Sequence, residues 1–252
     1  MKAEADFLAQ NGIGDPWRAN ALDGEARKNA NDMLSYLVLA VLPVVEHFEA
    51  AVAERQINDP DEPEPHFRWF LAMQNEVRKY LALSIQARWE QQFRRWLRAY
   101  VFTQTIGPKA SEHIKVAKWD ELERSLKEFR GFSLAELPDG PVLKDLIVVA
   151  NIVRHGDGPS VAKHFRENPT RWINPAFGTP VPREEVWQSD EVTDYLTVTD
   201  ADLRAYGCAA ANFWKRIDNE YLLNALRKGW IKPDLIRLRV EAEGDFIKST
   251  EL

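Results

Sequence analysis

The sequence predicts an all-α protein, a helical bundle with a C-terminal helical extension and at most one short β element. Three observations predict this class. Apolar residues recur at intervals of three and four over long stretches, and glycine and proline punctuate those stretches at separate places. Only one short segment alternates apolar and polar residues. We predict a single helical domain over residues 1–252, with a motif-bearing core at 67–166 and an extension at 168–252.

The first long helix is predicted over residues 25–57. Its apolar positions share helical spacing and are Leu34, Leu37, Val38, Val41, Val45, Phe48 and Val52. Pro43 lies inside this pattern and should kink the helix, because it removes a backbone donor and crowds the preceding turn. The acidic, proline-rich stretch at 58–65 is predicted to be a solvated loop.

A longer helix is predicted from about Phe67 to Phe102, with an unbroken apolar stripe. The stripe consists of Phe70, Met73, Val77, Leu81, Ile85, Trp89, Phe93, Trp96 and Tyr100. Residues 118–129 form a shorter amphipathic helix. The turn Asp139-Gly140-Pro141 then opens a helix that ends at His155, because "GDGPS" follows it.

Beyond residue 156, the pattern becomes less regular. A short helix is predicted at 160–168, and a proline-rich irregular stretch at 168–182. Residues 194–200 alternate enough to predict one short strand. Thr199 or Asp200 can then cap a final long helix.

The composition excludes several classes of protein. A formal net charge of −6 and a pI near 5.5 argue against coating nucleic acid or membranes through bulk charge. The single cysteine, Cys208, excludes an internal disulfide, and no apolar signal core or run of about 20 apolar residues is present. We therefore expect a soluble cytoplasmic protein without membrane contact. The five histidines lack metal-ligand spacing, so no metal or other cofactor is predicted.

The candidate catalytic residues lie at the end of the predicted helix 143–155. Asn151 and His155 are four residues apart and share one helix face, and Arg154 lies about 100° around from His155. An imidazole that titrates near neutral pH, a fixed cation and an amide are the groups needed to cleave RNA without a metal. The structural alternative is a helix end, because cations favour the last turn and Gly156 is a common terminating residue.

A second set of polar residues lies on the predicted long helix, between residues 84 and 98. Arg88 and Arg95 are our candidates for contacts with RNA phosphates, because arginine binds phosphate through two donors. The alternative is that Arg94, Arg95 and Arg98 simply form a solvated face. Trp89, Phe93 and Trp96 complete the apolar stripe and are predicted to be core residues.

The segments "SIQARWE" and "VVANIVRHGDGPS" resemble a group of bacterial HEPN-like helical proteins. In that superfamily the signature is an arginine, a polar residue that is often Asn, three further residues and a histidine. Asn151 to His155 match the second part of this signature, whereas position 150 is Ala where the arginine would stand. Arg154, next to the histidine, is the candidate to replace it in part, and the alternative is a degenerate site. The resemblance covers residues 67–166.

This resemblance implies a bundle of four or five helices that often dimerises and brings two motifs to one cleft. Many members are metal-independent endoribonucleases of toxin–antitoxin, abortive-infection or anti-phage systems. Others are inactive interaction modules, sometimes with a nucleotidyltransferase partner. Ala150 leaves both possibilities open: an RNase with His155, Arg154 and Asn151 as its site, or a non-enzymatic module that binds a protein or nucleotide.

We also expect a homodimer with the helix 143–155 near the two-fold axis. One His, one Asn and one Arg per chain make a small site, and an isologous interface would double it. The alternative is a monomer in which residues 168–252 cover that face of the bundle.

Overall fold

The computed structural model describes residues 21–58, 64–104, 106–156, 159–174, 178–181, 192–232 and 234. Within these residues the protein is all-α, as predicted. The α-helices are α1 (Ala26–Tyr36), α2 (Leu42–Asn58), α3 (Glu64–Thr103), α4 (Pro108–Val116), α5 (Trp119–Arg130), α6 (Gly140–His155), α7 (Pro159–Glu167) and α8 (Asp200–Arg227).

The first predicted helix is confirmed, and a π-helical turn at Leu37–Val41 joins α1 to α2. The backbone N–H of Leu42 bonds the carbonyl of Leu37, five residues earlier. This wider turn ends two residues before Pro43, whose backbone nitrogen carries no hydrogen to donate. The expected irregularity at this proline therefore takes the form of a π-bulge.

The long helix α3 is confirmed and is slightly longer than predicted. It already includes Glu64 and Pro65, and α2 continues to Asn58, so both ends of the predicted loop at 58–65 are helical. Residues 59–63 of that prediction lie outside the described residues. Gly107, at φ 114°, separates α3 from α4, with Pro108 in the first turn of α4. The sequence did not predict α4. Ile114 is its buried residue, so it shows no repeating apolar pattern.

The helices α5 and α7 lie one residue from their predicted bounds, and α6 begins at Gly140, inside the predicted turn, and ends at His155 as predicted. Gly131 adopts a left-handed conformation at the end of α5, and its N–H bonds the carbonyl of Lys127. Gly140 opens α6 where only glycine fits, because an added Cβ would meet the carbonyl oxygen of Leu134 at 1.9 Å.

The predicted strand at 194–200 is wrong. Val192–Tyr195 form a 3₁₀ turn, and Leu196 makes one isolated bridge to Trp172. A two-stranded antiparallel sheet instead joins β1 (Ile173–Asn174) to β2 (Thr179–Pro180), inside the stretch expected to be irregular. The predicted cap of α8 is confirmed, because the Thr199 hydroxyl accepts the N–H of Asp202 at 3.1 Å.

By its internal contacts, the chain divides into two compact units, with boundaries inside helices. Unit 1 comprises Met1–Leu34, Arg88–Leu143 and Cys208–Leu252, and unit 2 comprises Ser35–Ala87 and Lys144–Gly207. The predicted core at 67–166 and extension at 168–252 follow different boundaries from these units. They stay a prediction about domain organisation.

Unit 1 contains an aromatic core. Its rings lie 5.0–6.5 Å apart between centroids and belong to Trp89, Phe93, Trp96, Trp119, Phe132, Phe213 and Trp214. A fully buried ion pair joins Arg130 to both carboxylate oxygens of Asp23, at 2.7 and 2.8 Å. The Arg130 guanidinium also lies over the rings of Trp96 and Tyr100. Burial lowers the pKa of Arg130, although the adjacent Asp23 carboxylate opposes this effect.

In unit 2, side chains of α3 hold the segment 193–200. The Asn75 amide donates to the carbonyl of Leu196 at 2.8 Å and accepts the N–H of Val198 at 3.2 Å. Lys79 Nζ donates to the carbonyl of Thr193 at 2.8 Å. One helix face thus satisfies backbone groups that would otherwise be buried without partners.

Candidate functional site

Helix α6 places the predicted catalytic residues at its C-terminal end. Buried apolar residues fix its inner face, namely Leu143, Leu146, Val149, Ala150 and Ile152. The helix terminates at Gly156, which has φ 64° and whose N–H bonds the carbonyl of Ile152 at 2.8 Å. The predicted helix terminator is therefore confirmed.

The three predicted residues differ in exposure. Asn151 is half-buried, and both Arg154 and His155 are exposed. Arg154 Nη2 donates a 2.9 Å hydrogen bond to Oε1 of Gln86, a fully buried residue of α3. This hydrogen bond holds one edge of the Arg154 guanidinium against α3, within unit 2. The guanidinium has further N–H donors that a ligand could bond.

Ala150 stands where the resembled signature has an arginine. Ala150 is fully buried on the inner face of α6. A guanidinium at this position would have to leave water inside a packed core, which is costly without a partner. The guanidinium at this end of α6 is that of Arg154, which is exposed.

The two predicted phosphate-contacting residues belong to the other unit. Arg88 and Arg95 are both exposed and lie on the part of α3 that falls in unit 1. Their neighbour Arg94 is not part of a solvated face. It is half-buried and donates to the carbonyls of Ile114 and Ala117, at 2.6 and 2.7 Å, and so completes the C-terminal end of α4.

The nearby aromatic residues are core residues, as predicted. Trp89 and Phe93 are fully buried, and Trp96 is 5% exposed. Glu90, between them, accepts hydrogen bonds from Arg94 Nε at 2.7 Å and from Trp119 Nε1 at 3.0 Å. These contacts give Glu90 a structural role in unit 1.

Sequence reasoning missed a polar cluster in unit 2, which we call the Asp145 network. It comprises Asp145 on α6, His164 on α7, Arg171 on the following 3₁₀ turn, and Asp202 and Tyr206 on α8. The Tyr206 hydroxyl donates to Asp145 Oδ2 at 2.5 Å and accepts from Arg171 Nη1 at 2.8 Å. Arg171 Nη2 also contacts Asp145 Oδ2 at 3.1 Å and Asp202 Oδ1 at 2.7 Å.

His164 closes this network from the side of α7. Its imidazole is 2% exposed, and Nε2 lies 3.4 Å from Asp145 Oδ1. Its Nδ1 has no hydrogen-bond partner among the described residues. An N–H at Nε2 directed at Asp145 Oδ1 fits this geometry, because a carboxylate oxygen accepts hydrogen bonds.

The network shifts the pKa values of its members. Burial works to raise the pKa of Asp145, but hydrogen bonds from His164 and Tyr206 and the charge of Arg171 outweigh it, and the pKa is lowered. Burial and the adjacent Asp145 carboxylate raise the pKa of the Tyr206 phenol far above its ordinary value. Asp145 is thus a stable carboxylate and Tyr206 a stable donor, which indicates a structural junction of α6, α7 and α8.

The comparisons with known proteins add no relative. No protein-family model, no curated protein and no solved structure matches this chain. The resemblance to HEPN-like proteins therefore stays a prediction based on the two quoted segments.

Two further features bear on function. Among the residues with described positions, no group of three or more His, Cys, Asp or Glu side chains is arranged to hold a metal ion. The continuous helical span Leu22–Arg55 contains an 18-residue window that is apolar enough to cross a membrane by length and composition alone, and 22% of that window is buried. Buried helices of soluble proteins and signal sequences meet the same criterion.

Proposed function

We propose that this protein is a metal-independent endoribonuclease with His155 as its proton-transferring residue. The observation that carries the proposal is the end of α6. It presents an exposed imidazole next to an exposed guanidinium that the buried Gln86 restrains. An accessible acid–base group beside a positioned cation is the minimum equipment for phosphodiester transfer within RNA.

The proposed reaction uses the ribose 2′-hydroxyl as nucleophile. Neutral His155 takes the hydroxyl proton while the 2′-oxygen forms a bond to phosphorus, and Arg154 stabilises the added negative charge on the phosphate oxygens. The bond from phosphorus to the 5′-oxygen then breaks, and that oxygen takes the proton from the imidazolium. The products are a 2′,3′-cyclic phosphate and a 5′-hydroxyl, and His155 returns to its neutral form.

The other predicted residues have supporting roles in this proposal. Asn151 lies one helical turn before His155, so its amide is in position to orient the imidazole or hold a phosphate oxygen. Arg88 and Arg95 are exposed residues on unit 1, and we propose that they contact phosphates elsewhere along the RNA. Neither arginine is assigned a part in proton transfer.

The test is cleavage of single-stranded and structured RNA by the purified protein in the presence of EDTA. We expect cleavage by the wild type and its loss in His155→Ala. His113→Ala is the matched control, because His113 is also an exposed histidine near a helix end, on α4. Equal cleavage by wild type and His155→Ala would show that the activity comes from a contaminant or another site.

The second candidate function is a non-enzymatic helical module that binds a protein or nucleotide. It is favoured by Gly156, whose left-handed conformation, together with two basic residues in the last turn, makes an ordinary helix end. On this hypothesis, His155→Ala lowers the free energy of unfolding by about 1 kcal/mol and removes no activity. A chemical denaturation curve measured alongside the RNA assay separates the two functions.

The biological setting is also a proposal. By resemblance, an RNase of this kind would act in a toxin–antitoxin or anti-phage system, with an antitoxin or a nucleotidyltransferase-type protein as partner. Expression in bacteria with and without the neighbouring gene tests this setting. We expect growth arrest from the wild type, none from His155→Ala, and relief by a cognate partner.

A further inference from the structure

The solvent-facing side of α3 in unit 2 exposes three large apolar or aromatic side chains. Trp69 and Tyr80 are each 60% exposed and Met73 is 37% exposed. At 100° per residue these three side chains fall within about 40° of arc. The opposite side of this helix is already buried, at Asn75, Lys79, Ala82, Ile85 and Gln86. The exposed residues are therefore a second apolar face and not the edge of the core.

The spacing of this face favours another α-helix as its occupant. We define the α3 stripe as Trp69, Met73, Glu76, Tyr80, Leu83 and Ala87, all in unit 2. Its intervals are four, three, four, three and four residues, the repeat of a coiled-coil seam. The one charged member, Glu76, forms an ion pair with Lys79 of the same helix. A helix packed on this stripe would therefore cover an ion pair and not a lone carboxylate.

The stripe is complementary to itself when two copies run antiparallel. With the two-fold axis between residues 76 and 77, Met73 of each copy faces Tyr80 of the other. Trp69 lies level with Ser84 and next to Leu83 of the other copy. Thioether–aromatic contacts and an indole on a leucine are favourable pairs. The same patch then serves both partners, as an isologous interface requires.

We infer that this protein forms a weak homodimer through antiparallel pairing of the α3 stripe. Taking ~200 Å² for a large side chain, the exposed fractions of Trp69, Met73 and Tyr80 amount to about 300 Å² per copy. Flanking residues add to this area, yet the total stays below the roughly 1,200 Å² of a standard stable interface. The dimer should therefore dissociate on dilution.

This arrangement differs from a dimer with α6 at the two-fold axis. In the α3 dimer, the two Gln86 residues lie 19 residues apart along the paired helices, about 28 Å at 1.5 Å per residue. Because Gln86 holds Arg154, each copy would carry its own separate polar cluster at the end of α6. The inference does not depend on whether that cluster cleaves RNA.

The first test is mass measured by sedimentation equilibrium from micromolar to near-millimolar protein. We expect a rise from 29.0 kDa towards twice that value. Trp69→Glu combined with Tyr80→Glu should weaken association at least about tenfold. Phe102→Glu is the control, since Phe102 is an 83% exposed apolar residue outside the stripe. A monomer at all concentrations, or equal weakening by both variants, would overturn the inference.

The second test is disulfide cross-linking in a Cys208→Ser background, which removes the one native thiol. Glu76→Cys lies beside the proposed axis and should form a covalent dimer under mild oxidation, whereas His155→Cys should not. Thermal melting of each variant checks that it is folded. Cross-linking through His155→Cys alone would place α6 at the axis and refute the α3 dimer. Vesicle binding by a monomer, abolished by the Trp69 and Tyr80 changes, would also overturn it in favour of a lipid surface.

Discussion

The replacement Tyr206→Phe tests whether the Asp145 network is a structural junction. The change removes one hydroxyl and keeps the ring, which is 1% exposed in the folded protein. The hydroxyl donates to Asp145 at 2.5 Å and accepts from Arg171 at 2.8 Å. Both partners are charged, so the variant loses two charge-assisted hydrogen bonds without leaving a large cavity.

The expected cost follows from these contacts. A hydrogen bond to a charged group contributes about 1.5–3 kcal/mol. Asp145 and Arg171 keep their direct contact at 3.1 Å, which retains part of the interaction. We therefore expect the free energy of unfolding to fall by about 2–3 kcal/mol at neutral pH, a large share of the roughly 5–15 kcal/mol of an ordinary domain.

The cost should depend on pH in one direction. The pKa of Asp145 is lower in the folded protein than its ordinary value. Its contribution to stability is therefore present above the ordinary pKa and is lost as the pH falls through the folded-state pKa. The difference between the wild type and Tyr206→Phe should be constant from pH 7 down to about pH 5 and shrink below about pH 4.

Urea denaturation followed by circular dichroism measures these values. Tyr80→Phe is the matched control, because it removes a hydroxyl from a side chain that is 60% exposed, and its effect should stay within about 0.5 kcal/mol. If Tyr206→Phe were as mild as this control, the hydrogen bonds to Asp145 and Arg171 would contribute nothing measurable. A cost that grew towards low pH would refute the assigned direction of the Asp145 pKa.

Three further predictions concern stability. Arg130→Ala leaves the buried Asp23 carboxylate without its cation and should cost about 3–5 kcal/mol by urea denaturation; a cost below about 1 kcal/mol would contradict this. Gly156→Ala meets no atom within 4 Å, so only its φ of 64° opposes the change, and thermal melting should show a loss of about 1 kcal/mol. Gly207→Ala brings a Cβ within 2.8 Å of the Leu37 side chain and should cost about 1–3 kcal/mol in the same assay; no change would mean that Leu37 moves freely.

Most helices could be predicted from the sequence because burial in this chain follows helical spacing. The predicted apolar face of the long helix is an example from Ile85 onwards, since Ile85, Trp89 and Phe93 are fully buried, whereas Met73 near its start is 37% exposed. The short helix α4 could not be predicted, since Ile114 is its buried residue and a single position makes no period. Its C-terminal end instead depends on Arg94, a contact across 20 residues of sequence.

The wrong strand at 194–200 has a physical reason. Leu196 and Val198 are buried and Thr197 between them is less so, which is the alternation that a strand shows. The carbonyl of Leu196 and the N–H of Val198, however, bond the side-chain amide of Asn75 on α3, and the N–H of Leu196 bonds the carbonyl of Thr193. A sequence pattern reports burial on alternate sides, but it does not report whether a strand or a side chain supplies the hydrogen bonds.

The candidate site could be predicted only in part. The positions of Asn151, Arg154 and His155 at the end of α6 follow from local helix geometry, and Arg154 and His155 are exposed whereas Asn151 is half-buried. The restraint of Arg154 by Gln86 spans 68 residues and leaves no local signal. The same is true of the Asp145 network, which joins residues from α6 to α8 and was visible in the sequence only as scattered polar residues.

The proposed RNase activity is tested most directly by the chemistry of the cleaved end. A short RNA with one cleavage position is incubated with the protein in EDTA, next to the same strand with a 2′-deoxy sugar at that position. The proposal predicts a 2′,3′-cyclic phosphate and a 5′-hydroxyl from the RNA, no cleavage of the 2′-deoxy strand, and no product with His155→Ala. Cleavage of the 2′-deoxy strand, or a 5′-phosphate product, would contradict a mechanism in which His155 activates the ribose hydroxyl.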